Sequence, residues 1–528
     1  MTEVYDIAVV GSGFAGSLLA MVARRLGRSV ILLEKGTHPR VVIGESSTPL
    51  SNLLLEDLAT RYNLPAIAPL SKWGSWQRTY PEIACGLKRG FTFHHHILGR
   101  AAQPDTRRRD QLLVAASPHD GIADTHWYRA DFDHFLVRQA QDLGVDYVDE
   151  VQLHRFVDVR DGVKLDGHRG GVAVQFTARF IVDATGPRGF LHHALGLGEL
   201  ALLGLPATQA LFNHFSGVGR LGEGSASRTP EAPPYPIDDA AVHHIFDGGW
   251  VWVLQFNNGI TSAGVAAMDE TAGRLGFGEG AASWERLLEL IPALKEQFTS
   301  AKPERAFTHL PRLGFRSATI TGDKWALLPS AAGFVDPLLS TGFPLTLLGV
   351  ARLAEIFNED WGTERFRGSL AEYAEATDAE LMAAAGLIGA LYANMNDLSV
   401  FTSLSLLYFA AVSYAETARR LGKPELAPSF LLHDNPVFGP ACRKLLERAH
   451  GQRTERESLK LSQDILRAIE PFNVAGLGDA ARRNWYPVDA KDLFRSAHKL
   501  NASREEISRL LERCGFAVES EVISSAHS

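Results

Sequence analysis

Few folds accommodate residues 5–34, YDIAVVGSGFAGSLLAMVARRLGRSVILLE. Tyr5 to Val10 is a short apolar run that leads straight into Gly11-Ser12-Gly13-Phe14-Ala15-Gly16. Ala15 to Leu26 reads as a helix ended by Gly27, and Val30 to Leu33 as a second strand finishing at Glu34. In such a strand–turn–helix the first glycine permits the tight turn. The second lets a pyrophosphate approach the backbone, and the third lets helix and strand pack closely. The phosphates would meet N–H groups at the helix start, where the helix dipole favours negative charge. Glu34 stands where an acid accepts from both ribose hydroxyls and repels a 2′-phosphate, so FAD or NAD is expected rather than NADP. The motif alone does not choose between them. Its candidate cofactor contacts are Gly11, Gly13, Phe14, Ala15, Gly16, Glu34 and Lys35.

At 528 residues the chain exceeds a single compact core, and two or three domains are expected. Hydrophobic residues at 45% and charged residues at 22% are those of a globular protein. No apolar run long enough to span a bilayer is expected, and the first strand starts too early to leave room for a signal peptide. Cys85, Cys442 and Cys514 are far apart, which argues against a disulfide framework and against a zinc site. A net charge of −8 without a dominant basic tract argues against nucleic acid. A cytoplasmic protein with no membrane partner is the expectation.

Further along, Gly44-Glu45-Ser46-Ser47 reads as a helix-capping turn before a helix from Pro49 with Leu50, Leu53, Leu54 and Leu58 on one face. Residues 86–96, GLKRGFTFHHH, alternate as a strand does, with Lys88 a solvated strand-end lysine by default. His94, His95 and His96 point alternately to opposite faces and make a poor tripod for a metal. Asp131 is a candidate N-cap for a helix through Leu143. Val145–Val148, Gly162–Leu165, Val172–Phe176 and Ala178–Asp183 read as strands, the last running into Ala184-Thr185-Gly186, which suits close backbone approach to a cofactor. Residues 219–236 read as a Gly/Pro/Ser-rich mobile excursion. Gly249 to Ala267 reads as a hairpin turning at Asn257-Asn258-Gly259, with Trp250 and Trp252 on one face of its first strand. Trp325 to Pro329 is another buried strand. It leads through GFVDPLLSTG to a helix carrying Pro344 in its first turn, whose N-terminus would face the cofactor. From about residue 369 the periodicity is helical, broken near Pro428 to Pro440, and carries no chemical motif.

Four of these pieces, in order, resemble the flavin-dependent halogenases, within the FAD monooxygenases of the hydroxybenzoate-hydroxylase type. They are IGESS, GLKRGFTFHHH, FDGGWVWVLQFNN and GFVDPLLSTG. The likeness is greatest to the group acting on monodechloroaminopyrrolnitrin and covers residues 5–350 in spaced blocks. It implies an α/β fold: a Rossmann-type FAD domain over 1–190 that returns over 306–357, with a substrate-side strand near 86–100. A substrate-side sheet over 191–305 and a helical region over 358–528 complete the expected layout. It also implies that Ser46, Arg129, Asp336 and Gly342 join the FAD contacts, and that backbone N–H groups of Ser340, Thr341 and Gly342 hold the halide. Trp250 and Trp252 become substrate-side residues. Lys88 becomes the catalytic lysine, which hydrogen-bonds hypohalous acid or carries the halogen as a haloamine. Reduced FAD, molecular oxygen and chloride or bromide are the implied reactants. A separate NAD(P)H-dependent flavin reductase is the implied partner.

Two departures bear on substrate. Leu254-Gln255 replace the usual Ile-Pro of the Trp-x-Trp strand, and Leu339 stands where tryptophan-specific members carry a glutamate. Free tryptophan is therefore disfavoured. An electron-rich phenol, pyrrole or aminophenyl ring, free or on a carrier protein, is expected. The alternatives are an aromatic hydroxylase that consumes NAD(P)H itself, and a flavin reductase acting on an alkene.

Overall fold

The computed structural model describes residues 4–101, 107–221 and 231–516. Half of the excursion expected at 219–236 falls at 222–230, outside the described residues. The first apolar run is the strand Val4–Val10, with Val30–Leu33 parallel on one side and Val172–Asp183 parallel on the other. Asp146–Val148 and Trp325–Leu327 extend the parallel order outward on either flank. The strand interiors are continuous apolar runs because helices cover the sheet, as parallel sheets require. Phe14–Arg25 is one of these helices, buried from Phe14 to Ala23 and followed by Gly27 at φ +81°. Val172–Phe176 and Ala178–Asp183, expected as two strands, are one strand of twelve residues. Its first half pairs antiparallel with Gly162–Arg169 and its second half joins the parallel core. Val151–Val159, whose polar alternation hid it, completes this eight-stranded sheet.

The second sheet has nine strands. The hairpin Gly249–Gln255 and Ile260–Met268 lies near its middle, and the ladder runs on through Gln255 opposite Thr261. Ala241–Phe246 pairs with Gly249–Gln255 on one side and with Gly90–His95 on the other. Gln111–Ala115 follows, and Trp485–Tyr486 from the far end of the chain closes the edge.

The single strand expected over residues 86–96 is two. Cys85–Lys88 leaves the large sheet and pairs antiparallel with Asp124–Trp127, while Gly90–His95 stays in it. The break follows from two close approaches. A Cβ on Gly86 would stand 2.1 Å from the Gln255 carbonyl oxygen, and one on Gly90 would stand 2.3 Å from that of Val114. Each half thus packs against a different backbone, and a side chain fits at neither position.

The C-terminal region is helical, chiefly Phe366–Tyr392, Leu398–Arg420, Phe438–Ala449 and Glu455–Ile469. Leu398–Arg420 is long and apolar enough to cross a membrane by length and composition, contrary to the sequence expectation, yet 78% of its apolar window is buried inside the protein. It is a core helix. One continuous apolar core includes Ile7, Trp250, Leu345, Tyr408 and Leu461, so both sheets and the C-terminal helices share it.

Candidate active site

The Gly-rich turn has the close contacts its sequence demands. Gly11 sits at φ +100°, and a Cβ on Gly16 would lie 2.0 Å from the Gly11 carbonyl oxygen. The helix that follows starts from Gly13 without a side-chain cap and without an acid in its first turn. Its N-terminus therefore offers backbone donors to an anion. Glu34 is buried and accepts from the backbone N–H and hydroxyl of Ser12 at 3.0 and 2.9 Å, and from the N–H of Gly36 at 3.0 Å. Burial pushes its carboxyl up, but the Arg40 guanidinium at 3.2 Å and these hydrogen bonds outweigh it, holding the group below the usual range. Lys35 is exposed and lies outside the cavity that the turn opens into.

That cavity, of about 300 Å³, runs along the seam between the sheets. Gly13, Phe14, Ala15, Ser46, Arg129, Trp250, Trp252, Asp336, Ser340, Thr341 and Gly342 all line it. Eleven residues chosen from five separated segments of sequence thus meet at one place. Gly11, Gly16, Glu34 and Lys88 are not in the lining. Arg129 opens the helix Arg129–Asp142 and is buried. It donates twice to Asp133, at 2.7 Å each, and to the Gly44 carbonyl at 2.8 Å, so its guanidinium is fixed in place. Asp131 does not cap this helix. It lies in the first turn and accepts from the Ala84 N–H instead, while Tyr128 holds the cap position.

On the far wall Leu339 and Ser340 take left-handed φ of +62° and +55° just before the helix Gly342–Glu359. This helix too begins without a side-chain cap or an acid in its first turn. Asp336 anchors the turn. It accepts from the Leu338 N–H at 2.9 Å, the Trp250 indole N–H at 3.2 Å and the Tyr392 hydroxyl at 2.9 Å. Burial pushes its carboxyl up to about 6 in spite of these donors. The Tyr408 hydroxyl donates to the Leu339 carbonyl at 2.8 Å. Both tyrosines come from the helical region where the sequence offered no motif, and only their tertiary contacts reveal them. Tyr392→Phe should lower stability by about 1–3 kcal/mol, because it leaves the buried Asp336 carboxylate short of a donor. Urea denaturation of the variant beside wild type would measure the loss.

Lys88 is not a solvated strand-end residue. It is fully buried, and its Nζ donates to the Ser46 hydroxyl at 2.8 Å and the Ser47 carbonyl at 2.5 Å. The ammonium also stands 3.8 Å from the centroid of the Phe91 ring. The Gly44–Ser47 turn is accordingly a lysine-binding turn; the helix Pro49–Arg61 is capped by Thr48, which accepts from the Ser51 N–H. Asp124 is the register partner of Lys88 on the neighbouring strand. Burial pulls the lysine down and pushes the aspartate up, while each opposes the shift of the other. Glu45 in the same turn meets the buried His214 ring at 2.7 Å.

Trp250 and Trp252 share a face as expected, with ring centroids 5.7 Å apart. Both are buried in the core and also line the cavity, so packing and site are one feature here. The histidine run is dispersed: His95 bonds the Met395 carbonyl at 2.9 Å, whereas His96 meets the ring of His244 at 2.9 Å. Among the described residues no group of three or more potential ligands could hold a metal ion.

A Rossmann-type half, a second sheet and a cavity in their seam define a dinucleotide-binding α/β fold class. The sequence matches the tryptophan halogenase family model over residues 124–401, just over half of the chain, and the chain belongs to that family. The match begins at Asp124, so the Gly-rich turn and Lys88 lie outside it. Among curated proteins, the tetracycline 7-halogenase of Kitasatospora aureofaciens is 29% identical over 377 residues, 69% of this chain and 66% of that protein. The monodechloroaminopyrrolnitrin halogenase PrnC of Pseudomonas fluorescens is 28% identical over 389 residues, 72% and 66% of the two chains. The chain thus spans 66% of the length of each. Halogenase PltM, in a crystal structure with phloroglucinol and FAD, shares the fold with TM-score 0.79 over 91% of this chain and 99% of its own, at 24% identity.

Proposed function

We propose that this chain is a flavin-dependent halogenase that places chlorine or bromine on an electron-rich aromatic ring. The observation that carries the reading is Lys88, a fully buried ammonium hydrogen-bonded to Ser46, which itself lines the cavity between the sheets. A buried lysine without a structural ion pair is costly to keep, and such groups mark working sites.

The residues suit FAD. Gly11, Gly13 and Gly16 give the close backbone approach that a pyrophosphate needs, with Phe14 and Ala15 starting the helix beneath it. Glu34 accepts only one of its four hydrogen bonds at Oε1, leaving that oxygen for a ribose hydroxyl. Arg129 and Ser46 would flank the cofactor, and Asp336 and Gly342 would hold the turn against its ring end. Lys35, exposed, has the weakest claim. When bound and reduced, FAD supplies with oxygen the two-electron oxidation that converts halide to hypohalous acid. The N–H groups at Thr341 and Gly342 suit a halide, since anions are stabilised at a helix N-terminus, whereas that of Ser340 already donates to the Pro337 carbonyl at 3.1 Å. Asp336, pulled back into the hydrogen bonds of Trp250 and Tyr392, keeps its own charge off that anion.

Lys88 then acts on hypohalous acid. Its ammonium donates a proton to the oxygen as the halogen becomes electrophilic, or its neutral amine carries the halogen. Burial that draws the lysine toward neutral pH suits both roles. The substrate is a small aromatic of phenol, pyrrole or aminophenyl type, free or carrier-bound, and reduced FAD comes from a separate NAD(P)H-dependent flavin reductase.

The test combines the protein with FAD, NADH, a generic flavin reductase, oxygen and bromide, and a panel of phenols, pyrroles and anilines. Products carrying the two-line bromine isotope pattern are expected by mass spectrometry, and none when bromide and chloride are omitted. Products that gain only oxygen, with halide irrelevant, would assign an aromatic hydroxylase instead.

A further inference from the structure

A second cavity, of about 740 Å³, lies among the helices Pro49–Arg61 and Leu398–Arg420 and the segment around Tyr486. Phe91, the ring beneath the Lys88 ammonium, lines it together with Tyr408 and Phe409. Asp124 is in its wall and is 6% exposed. Its Oδ1 accepts from the Asn52 side chain at 2.8 Å, but its Oδ2 is buried with no hydrogen-bond partner. Orphaned carboxylate oxygens are rare in a settled core, because each costs its full desolvation. Asp124 lines a cavity large enough for a ligand of several rings, and on its own two-stranded ribbon it is the register partner of Lys88.

We infer that Asp124 is the base that binds and deprotonates the hydroxyl of a multi-ring phenolic substrate held in this second cavity. The inference rests on the halogenase reading and deepens it.

The proton account closes on the pair. In the first step the Asp124 carboxylate takes the hydroxyl proton, and the ring carbon ortho or para to that oxygen uses its electron pair to bond the halogen of hypohalous acid. The oxygen–halogen bond breaks, and the oxygen leaves as water with a proton from the Lys88 ammonium. Lysine and aspartate are then both neutral, and the ring is a halogenated dienone. In the second step the neutral lysine takes the ring C–H proton and Asp124 returns its proton to the oxygen. The aromatic ring and the charged pair are both restored. A buried pair without a close ion pair between its members can pass between charged and neutral forms at small cost, which this cycle needs.

The groups that face Asp124 are Lys88 from the paired strand, Asn52 from the first long helix after the turn, and Glu416, Arg420 and Tyr408 from Leu398–Arg420. Glu416 opposes ionisation and Arg420 favours it. Because burial raises the carboxyl, the rate should climb with pH near neutrality rather than near 4.

The probes are 2-naphthol and its methyl ether, titrated calorimetrically into the full chain. Wild type should bind the naphthol at least tenfold more tightly. Asp124→Asn keeps the volume and the acceptor for Asn52, and should erase that preference. With reductase, FAD and bromide it should also lower kcat for bromonaphthol at least 100-fold and lose the acid limb of the rate–pH profile. Asn52→Ala, which leaves the carboxylate in place, should keep the preference for naphthol. Equal affinities in wild type, no saturable binding of either probe, or a preference kept by Asp124→Asn would overturn the inference. The wild-type comparison needs no variant to fold. Bromonaphthol made equally fast by Asp124→Asn would sink this role alone, whereas an oxygenated, halogen-free product from wild type would sink the halogenase reading beneath it.

Discussion

Lys88→Ala should abolish halogenation, by at least about 1,000-fold in product rate, while reduced flavin is still oxidised and hydrogen peroxide is still released. The reason is positional. Lys88 is not in the lining of the first cavity, so its loss leaves the Gly-rich turn, Arg129 and Asp336 as they are. What it removes is the ammonium that donates to the Ser46 hydroxyl. Oxygen consumption and peroxide release, followed with and without bromide, separate the two processes. A variant that stops oxidising flavin would count against the assignment. Lys88→Met, closer in volume, adds a stability readout. Asp124 would lose the positive charge that opposes its raised carboxyl value. A carboxyl raised in the folded state costs nothing below its unfolded value, and its cost grows as pH climbs through the folded one. The melting temperature of the methionine variant should therefore fall more steeply than that of wild type as pH rises from 5 to 8.

Gly16→Val should eliminate FAD binding. Any Cβ at Gly16 meets the Gly11 carbonyl oxygen at 2.0 Å and the Ala184 side chain at 3.1 Å. Neither neighbour is the end of a flexible side chain. The helix would have to move away from the strand, and the turn that brings backbone donors to the pyrophosphate would open. Flavin fluorescence quenching on titration should show affinity weakened by at least about 100-fold, roughly 2.7 kcal/mol. Circular dichroism would report whether the rest of the fold persists. Wild-type affinity in a folded valine variant would show that the turn is not the cofactor site.

The parts of this molecule that were legible in the sequence are those whose chemistry is local. Val4–Val10, Phe14–Arg25 and Val30–Leu33 fall within a residue of where apolar periodicity and the glycines put them. The hairpin at Asn257-Asn258-Gly259 is similarly self-contained. Lys88 reads as solvated because no hydrogen-bond partner lies within ten residues of it and only the Phe91 ring is local. Ser46 and Ser47 lie more than forty positions away, and Asp124 is brought alongside by strand pairing. The cap of the helix at Pro49 is not legible in the sequence because Ser46, Ser47 and Thr48 are chemically equivalent caps, and only the lysine distinguishes them. Tyr392 and Tyr408 sit at helical spacing in apolar surroundings, so their hydroxyls carry no local signal at all.

Trp485–Tyr486 sets the order in which this protein can be completed. The strand Gln111–Ala115 has Gly90–His95 on one side, but among the described residues its other edge pairs only with these two, with the Arg108 guanidinium 3.3 Å from the Trp485 ring centroid. On the ribosome, some 370 residues must be added after that edge is made before its cover emerges. During that interval a nascent chain presents unpaired backbone groups of the sheet that holds the tryptophan pair, and unpaired edges are templates for association with other chains. Synthesis rate and chaperone supply, rather than the stability of the finished molecule, should then govern how much of this protein a cell accumulates.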